Sequence, residues 1–231
     1  FFLAHYFRDT YDQSLVNYPF INNNIQITRA EVWITNRGNR TEDVRNLVAI
    51  QDIGESDPTN IGLDQQPPGF INVPAGSFPS NGNNDFNPIA INSGGETVLN
   101  RQIRDIATVE QGFGSVQVNE GFDYVTLENA RQLNPNEYKL NTQLGYISLN
   151  QRLSNDEIVA VAFQYTVGGQ VFQVGEFAND GVTAPEVNQN PDANQQVVTN
   201  QNLVVKLLKG NLTNVSEPIW DLMMKNIYNL G

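Results

Sequence analysis

Polar and hydrophobic residues alternate most regularly near the middle of the second half of the chain. Residues Ile158 to Val167 and Val171 to Phe177 form two alternating runs on either side of Gly168-Gly169. A glycine pair favours a two-residue hairpin turn, because both turn positions there take a positive φ. Ser154 to Glu157 resembles the start of a helix, but the strict alternation that follows outweighs it. We predict that residues 144–177 form a contiguous antiparallel sheet in which these two arms pair.

The faces of the first arm follow directly from its alternation, because successive side chains of a strand point to opposite sides. One face carries Val159, Val161, Phe163, Tyr165 and Val167, and the other carries Ile158, Ala160, Ala162, Gln164 and Thr166. Shorter strands are predicted at Tyr138–Leu140, Leu144–Leu149 and Leu203–Leu208.

Residues Ile25 to Asn36 have the β-branched and aromatic composition of a strand, but their hydrophobic positions change face. Ile25 and Ile27 share one face, whereas the next apolar residues, at 30, 32 and 34, share the other. The switch predicts a bulge or a strand that is buried on both sides. Residues 37–40 form a turn, and Val44 to Ile53 is the predicted antiparallel partner of this strand.

Helical spacing of apolar residues marks four other segments. Residues 1–17 are predicted to be a helix that ends before Pro19, with an extended segment as the alternative. Residues 98–111 and 123–133 also have helical spacing, and in the second of these Asp123 is the N-cap. A last helix is predicted to begin at Ser216, with Pro218 in its first turn. The residues at helical spacing are Leu3, Phe7, Tyr11 and Leu15; Leu99, Ile103, Ile106 and Val109; Tyr124, Leu127, Ala130 and Leu133; and Trp220, Met223, Met224 and Ile227.

Two long segments, 54–95 and 178–202, are rich in Asn, Gly and Pro and have no periodic pattern. Connections of that length are usually functional or disordered. The predicted fold class is therefore α+β: mainly antiparallel β-sheet with a few peripheral helices and two long irregular loops. The chain opens without Met or a basic leader, so we interpret residues 1–231 as one domain, or a fragment, of a larger protein.

The charge and composition of the chain argue against several classes of partner and site. The chain has 25 acidic and 13 basic residues, a formal net charge of −12, and no cluster of basic residues. Such a surface repels phosphate, which disfavours both nucleic acid and an anionic membrane surface as partners, so we predict no contact with nucleic acid. There is no cysteine, which excludes disulfides and thiolate chemistry. No apolar stretch is long enough for a transmembrane helix.

The residue types that most enzymes and metal sites need are largely missing. His5 is the one histidine of the chain and has no G-x-S-x-G partner motif, so we interpret it as a packing or surface residue. With one histidine and no cysteine, zinc sites of the usual kind are excluded, and no phosphate-binding loop is present. We predict a non-enzyme with no catalytic, cofactor-binding or metal-ligating residues, and no bound zinc, haem or nucleotide.

Acidic and aromatic residues are the remaining candidates for a functional site. Glu31, Asp52, Glu157 and Glu176 lie on or beside predicted strands, where acids usually face solvent or bind turns. Asp85 lies in an Asn-rich segment that could offer oxygen ligands to calcium, although the spacing of a calcium-binding loop is absent. Trp33 and Trp220 are predicted to pack in the core rather than to form a sugar-binding platform.

Several longer segments resemble a known family. Residues 3–9, LAHYFRD, and 27–36, ITRAEVWITN, are followed by RNLVAI at 45–50 and DYVTLENAR at 123–131. LGYISLN at 144–150, EIVAVAFQY at 157–165, VGEF at 174–177 and WDLMMKNIY at 220–228 continue the same order. Together these segments resemble the motility-related SprA domain over nearly the whole chain, except at 54–95 and 178–202.

The resemblance implies a part of the type 9 secretion translocon of the outer membrane, which exports folded cargo proteins and supports gliding motility. Ile158 to Val167 has the alternation and length of a barrel strand, but one hairpin is too few to form a barrel wall. Because the predicted helices and polar loops suit an insertion outside the membrane, we expect an extramembrane position, with the extracellular side favoured over the periplasm. The implied partners are other parts of the translocon chain, secreted cargo, a lateral barrel protein and a plug. The resemblance carries no catalytic residues.

Two other function classes stay open from the residues alone. The first alternative is a surface adhesin or glycan-binding module, which needs an exposed aromatic groove. The second is a carbohydrate-active hydrolase, which needs two carboxyl groups facing each other across a cleft. Because residues 54–95 and 178–202 are too polar to form a core, we expect them to contact translocon components or cargo, or to be tolerated surface insertions.

Overall fold

A computed structural model describes residues 1–38, 40–53, 55, 91, 99–179, 185–188, 197–212 and 214–224. Most of its regular structure is strand. The strands are β1 (Ile25–Ile34), β2 (Val44–Ile50), β3 (Tyr124–Gln132), β4 (Tyr138–Asn141), β5 (Tyr146–Leu149), β6 (Val159–Val167), β7 (Gln170–Val174), β8 (Pro185–Asn188), β9 (Val197–Asn200) and β10 (Leu203–Lys209). The fold is therefore α+β and dominated by sheet, as the sequence predicts.

The main sheet has the strand order β1-β3-β2-β10-β6-β7, and β1 also pairs with β6. Five strands, β1, β3, β2, β10 and β6, thus form a closed sheet. β7 pairs with the C-terminal half of β6, beyond the residues of β6 that pair with β10. Only the β2–β10 pair is parallel among the ladders of this sheet. Closing a sheet removes the exposed edges that an open one presents.

The predicted pairing of β2 with β1 is wrong. β2 lies between β3 and β10, and its antiparallel partner is β3. The connection from Ile34 to Val44 is longer than a tight hairpin turn, so it does not fix the pairing of the strands that it joins. β3 enters between them and pairs its C-terminal end with Trp33 and Ile34 of β1.

Buried side chains fall into two clusters, one on each face of the closed sheet. The inner cluster takes its residues from all five strands and from two positions beside them: Trp33, Leu47, Ala49, Val125, Leu127, Ala130, Ile158, Ala160, Ala162, Phe177, Leu203, Val205 and Leu207. The outer cluster lies between the sheet and the helical segments that cover it, and includes Leu3, Phe7, Ile103, Phe113 and Leu222. Both faces of the strands are consequently apolar, as in sheets that are covered on both sides.

The face switch in β1 has the bulge that the sequence predicts. The register of β1 against β6 shifts between Ile27 and Arg29, which leaves Thr28 as the extra residue. The shift brings Ile25 and Ile27 onto the same face as Val32, and all three belong to the outer cluster. The C-terminal half of β1 is also buried on both sides.

Residues 124–132 form strand β3, so the helix predicted at 123–133 is wrong. A register shift against β2 lies between the pairs Arg45–Ala130 and Leu47–Leu127, and Asn129 there has φ of 50°. The extra residue changes the spacing of the inward-facing Leu127 and Ala130 from two to three, which imitates one turn of helix. Asp123 accepts a hydrogen bond from the backbone of Asn119 in a turn instead of capping a helix.

The β6–β7 hairpin is confirmed. Gly168 and Gly169 have φ of 57° and 83°, and the flanking strands pair antiparallel from Phe163–Val174 to Val167–Gln170. The odd-numbered residues 159–165 belong to the outer cluster and Ala160 and Ala162 to the inner one, as predicted. The single contiguous sheet over 144–177 is wrong, because β4 and β5 form a separate two-stranded sheet. Residues 150–158 between β5 and β6 are not a tight turn, so the two hairpins need not share a sheet.

The helices are shorter than predicted. Residues 1–17 contain α1 (His5–Asp9) and α2 (Tyr11–Ser14), separated at Thr10. The helix predicted at 98–111 is replaced by two 3₁₀ helices, Arg101–Arg104 and Ile106–Phe113, and the second extends past the predicted end. The side chains of Asn100 and Asp105 each accept a backbone hydrogen bond two residues on, at 2.9 and 3.0 Å, and so restart the helix instead of continuing it.

The last helix is the 3₁₀ helix Pro218–Leu222, with Glu217 rather than Ser216 at its N-cap. It ends early because Met223 is extended, with φ of −76° and ψ of 119°. Leu222 is buried, Met224 is exposed, and Ile227 lies outside the described residues.

The two predicted irregular loops have different outcomes. Residues 54–95 lie outside the described residues, apart from Glu55 and Ile91, which are both buried. Residues 178–202 contain the antiparallel pair β8–β9, so this segment is not irregular throughout. These two strands contain β-branched residues, which strands favour: Val187, Val197, Val198 and Thr199.

Candidate functional site

His5 holds two ends of the described chain together. Its Nε2 lies 2.9 Å from the carbonyl oxygen of Pro218, which joins α1 to the last 3₁₀ helix. Burial, and to a smaller extent the positive charge of Lys206, lower the pKa of the imidazole to about 4. The ring is therefore neutral near pH 7, with a proton on Nε2 that it donates to the carbonyl. Of the two roles predicted from the sequence, packing or surface, the structure shows packing.

Arg104 and Glu176 form a buried, two-pronged ion pair. Arg104 Nη2 lies 2.6 Å from Glu176 Oε1, and Arg104 Nη1 donates to Glu176 Oε2 and, at 3.1 Å, to the carbonyl of Asn202. The same Oε2 accepts the backbone N–H of Val204 at 2.7 Å. Burial raises the pKa of the Glu176 carboxyl, and Arg104 opposes that shift. The pair fastens the first 3₁₀ helix and the end of β7 to β10.

Lys206 and Glu55 form a second buried pair on the outer face of β10. Lys206 Nζ lies 2.5 Å from Glu55 Oε1, and the ammonium also donates to the carbonyl of Gln51. Glu55 Oε2 accepts the backbone N–H of Ile53 at 2.8 Å. Lys206 is fully buried and Glu55 nearly so. The pair therefore fixes the chain where it leaves β2 against the centre of the closed sheet.

The pKa of the Glu55 carboxyl is raised to about 7, chiefly because the group is buried. The negative charge of Asp52 raises it as well, whereas Lys206 lowers it. Asp52 is itself buried and acts electrostatically on His5 too. His5, Asp52, Glu55 and Lys206 are thus one electrostatically linked group.

Glu31 and Glu157 are also structural in their contacts. Glu31 lies 2.8 Å from Arg29 and accepts the backbone N–H of Ala178 at 2.9 Å, while Arg29 stacks 3.7 Å above the ring of Phe177. Glu157 accepts the N–H of Ser154 at 2.6 Å and so closes the turn before β6. The expectation that such acids bind turns is confirmed for Glu157. The expectation that such acids face solvent is wrong, because all four acids named from the sequence are buried: Glu31, Asp52, Glu157 and Glu176.

Neither buried ion pair is predicted from the sequence patterns described above. A signal for one of them was present, since Lys206 interrupts the otherwise apolar run LVVKLL at 203–208. A single charge in the middle of a strand that is apolar on both faces indicates a buried cation, which needs a buried partner. Glu55 is too far away in sequence to be recognised as that partner.

The two tryptophans differ in their surroundings. Trp33 is completely buried in the inner cluster, as predicted. Trp220 is only half-buried, because its 3₁₀ helix lies at the surface and ends two residues later.

An acidic groove runs between the second 3₁₀ helix and β3. It has a volume of about 630 Å³, and Glu110, Glu120 and Glu128 are among its lining residues, with no basic residue beside them. Glu120 accepts a hydrogen bond from the hydroxyl of Thr126 at 2.6 Å. Burial and the nearby glutamates raise the pKa of Tyr124 in the same groove. None of the four acids named from the sequence lies here, and the groove favours cationic over anionic groups.

The part of the chain that the structure describes contains no group of three or more His, Cys, Asp or Glu side chains placed to hold a metal ion. Asp85 lies outside the described residues. In the same ranges, no helix is long and apolar enough to cross a membrane.

Comparison with known proteins identifies one relationship. A model of the SprA_N family, described as motility related/secretion protein, matches residues 2–167. The match includes α1, α2 and β1 to β6 and ends at the last residue of β6, so β10, which closes the sheet, lies beyond it. No curated protein matches the chain.

Proposed function

The chain belongs to the SprA_N family of motility-related secretion proteins, and we propose that it is a non-enzymatic structural and interaction domain of the type 9 secretion translocon. In that role it supports the export of folded cargo proteins and gliding motility. The observation that carries the proposal is the family match over residues 2–167, which extends across most of the closed sheet.

The contacts of the charged residues support a structural rather than a catalytic role. Catalytic acids need access to a substrate, whereas Glu55 and Glu176 are enclosed and bound to Lys206 and Arg104. Glu31 and Glu157 bind backbone N–H groups that shape the ends of strands. The single histidine is occupied by the carbonyl of Pro218.

We place the domain at the outer membrane, in an extramembrane position on the extracellular side. Its covered sheet and its formal charge of −12 suit a water-exposed domain that lies close to other proteins. An acidic surface also discourages adhesion to the phosphate groups of an anionic membrane.

The proposed partners are other parts of the translocon chain, secreted cargo, and the lateral barrel protein and plug of the same system. We assign these contacts to residues 54–95 and 178–202. Their Asn and Gln side chains, and the accessible backbone at their Gly residues, offer hydrogen bonds with little charge, which suits transient contacts with different cargo proteins. The Lys206–Glu55 pair supports this assignment, because it fixes the start of the first segment to the folded sheet.

Deleting residues 75–88 from the parent protein tests the assignment. Export of cargo into the medium and gliding are compared with those of a matched variant in which the same residues are replaced by a Gly/Ser linker of equal length. We expect both variants to lose export and gliding while the protein is made at normal levels, because both remove the side chains that make contact.

Unchanged export and gliding in both variants would overturn the role of the first segment. Loss in the deletion alone would mean that length and not contact is needed. Saturable binding to a glycan array, together with normal export, would favour the adhesin alternative.

A further inference from the structure

Three large hydrophobic side chains project into solvent from the short connection between α2 and β1. Val16 is 67% exposed, and Tyr18 and Phe20 are each 78% exposed. Single exposed apolar residues are ordinary on protein surfaces, but three within five residues form a patch. We call residues 16–20 the aromatic loop.

Backbone hydrogen bonds hold the aromatic loop in shape. Tyr18 donates to the carbonyl of Leu15, and Phe20 to that of Asn17, each at 3.0 Å. The N–H of Asn22 closes the loop onto the carbonyl of Ser14 at 2.9 Å, and the buried hydroxyl of Ser14 binds the carbonyl of Thr10. The exposed side chains are thus held on an ordered backbone, which reduces the entropy lost on binding.

The aromatic loop lies in a stretch without charge. No Asp, Glu, Lys or Arg occurs between Asp12 and Arg29, although the whole chain contains 38 such residues, 25 acidic and 13 basic. The centres of protein–protein interfaces are depleted in charged residues and enriched in aromatic ones. The loop has both properties.

We propose that the aromatic loop inserts into an uncharged, apolar pocket on a folded protein domain outside residues 1–231. Tyr18 and Phe20 fill the pocket, and Val16 packs at its rim. The surrounding Asn residues give hydrogen bonds without charge, which matches a neutral partner better than a charged one. The proposal goes beyond the secretion role and does not depend on it.

A membrane surface is the less suitable occupant. Segments that bind membranes usually add Lys or Arg to their aromatic residues, for attraction to anionic lipids. Here the nearest charged residues on the N-terminal side are Asp12 and Asp9, which are both exposed, and the basic residue next to them, Arg8, is paired with Asp9 at 2.8 Å. The acidic balance of the chain also opposes an anionic surface.

A second copy of the chain is also less suitable. Stable dimers bury roughly 1,200–2,000 Å² in total. Three side chains on one loop provide only a fraction of that area, but they suffice to fill a pocket, as do the few central residues that dominate many interfaces. The loop therefore fits an asymmetric contact in which the partner supplies the concave surface.

The test uses the parent protein in intact cells, with the photoreactive amino acid benzoylphenylalanine in place of Phe20. Val215 is 68% exposed on another segment and is the matched control position. We expect one defined protein product from position 20, mapped by peptide sequencing to apolar residues of a folded domain, and no such product from position 215. Adding Tyr18→Ser should lower the yield about tenfold, because removing a central aromatic side chain weakens an interface by that order.

A second measurement separates binding from folding. The Tyr18→Ser, Phe20→Ser double variant of residues 1–231 should keep its thermal unfolding midpoint, because both side chains are exposed. Neither the double variant nor the unchanged chain should sediment with phosphatidylethanolamine vesicles. The proposal is overturned by adducts with lipid, by adducts with a second copy, by equal products from positions 20 and 215, or by no product. A defined product at position 20 together with normal export in the 75–88 deletion would keep this inference while removing the proposed role of that segment.

Discussion

The backbone of Gly145 lies directly against the aromatic ring of Phe7. A Cβ atom at position 145 would overlap that ring, and Gly145 has φ of 61°, a conformation that L-residues with a side chain rarely adopt. The carbonyl of the same residue accepts the N–H of Leu3 at 2.9 Å. This one position therefore lets the N-terminal segment pack onto the β4–β5 pair and cover the outer face of the closed sheet.

Replacing Gly145 with Ala should destabilise the domain by about 3 kcal/mol. Roughly 1–2 kcal/mol comes from the left-handed backbone and the rest from overlap with Phe7. Gly168→Ala is the matched control, because its φ is 57° but nothing lies within 4 Å of its Cβ. Gly168→Ala should therefore lose only the roughly 1–2 kcal/mol that comes from the left-handed backbone. Urea denaturation of the two variants measures the difference, and equal losses would contradict the role of Phe7.

Removing one member of the Arg104–Glu176 pair should be far more costly than removing both. Arg104→Ala leaves a buried carboxylate without its partner, which typically costs about 3–5 kcal/mol. Arg104→Met with Glu176→Met replaces the pair by apolar side chains and should recover much of that loss. The free energy of unfolding in urea checks both.

The exposed pair Arg8–Asp221 provides the control for this comparison. Its side chains are 44% and 46% exposed and 3.9 Å apart, so Arg8→Ala should cost at most about 1 kcal/mol. If the Arg104→Ala loss were no greater, the pair would not fasten the helix to the sheet as the geometry indicates.

His5 and Glu55 should give opposite dependences of stability on pH. The folded-state pKa of His5, about 4, lies below its ordinary value of 6.5, so its contribution is complete above pH 6.5 and is lost as the pH falls towards 4. The folded-state pKa of Glu55, about 7, lies above its ordinary value of 4.5, so ionisation destabilises the fold as the pH rises from 4.5 to 7.

Unfolding in urea at pH 7.5 and pH 5 separates the two effects. Compared with the unchanged chain, His5→Gln should lose less stability on acidification, whereas Glu55→Gln should lose more. Changes of the same sign in the two variants would show that one of these groups is not buried in the way described.

Deleting Thr28 tests the bulge in β1. Without the extra residue, Ile25 and Ile27, now 2% and 1% exposed, would move to the opposite face from Val32. Loss of two buried isoleucines should cost about 3–6 kcal/mol. Thr28→Ala keeps the bulge at an exposed position and should change stability by no more than about 0.5 kcal/mol. Similar losses for the deletion and the substitution would rule out the face-switching role.

Sequence patterns predicted the parts of this fold that depend on neighbouring residues. The β6–β7 hairpin follows from alternation around two glycines, and the bulge in β1 from a change of hydrophobic face. β3 was misread because its bulge produces helical spacing, and the pairing of β2 was misread because the partner is chosen by distant contacts. The same limit applies to the site. Glu55 and Lys206 are adjacent only after β2 and β10 have paired, and the exposure of Tyr18 and Phe20 is known only when the rest of the chain is packed.

Contact between this domain and cargo in transit is the measurement that tests the proposed function most directly. Asn179 lies at the start of the second polar segment, Arg101 lies shortly after the first, and both are exposed. A photoreactive amino acid at either position would be activated in cells that export a slowly translocating cargo. We predict adducts with the cargo or with another secretion component, formed only while export is active. If the parent protein is assembled and exports at its normal rate, yet neither position gives such an adduct, the proposed role in secretion is contradicted.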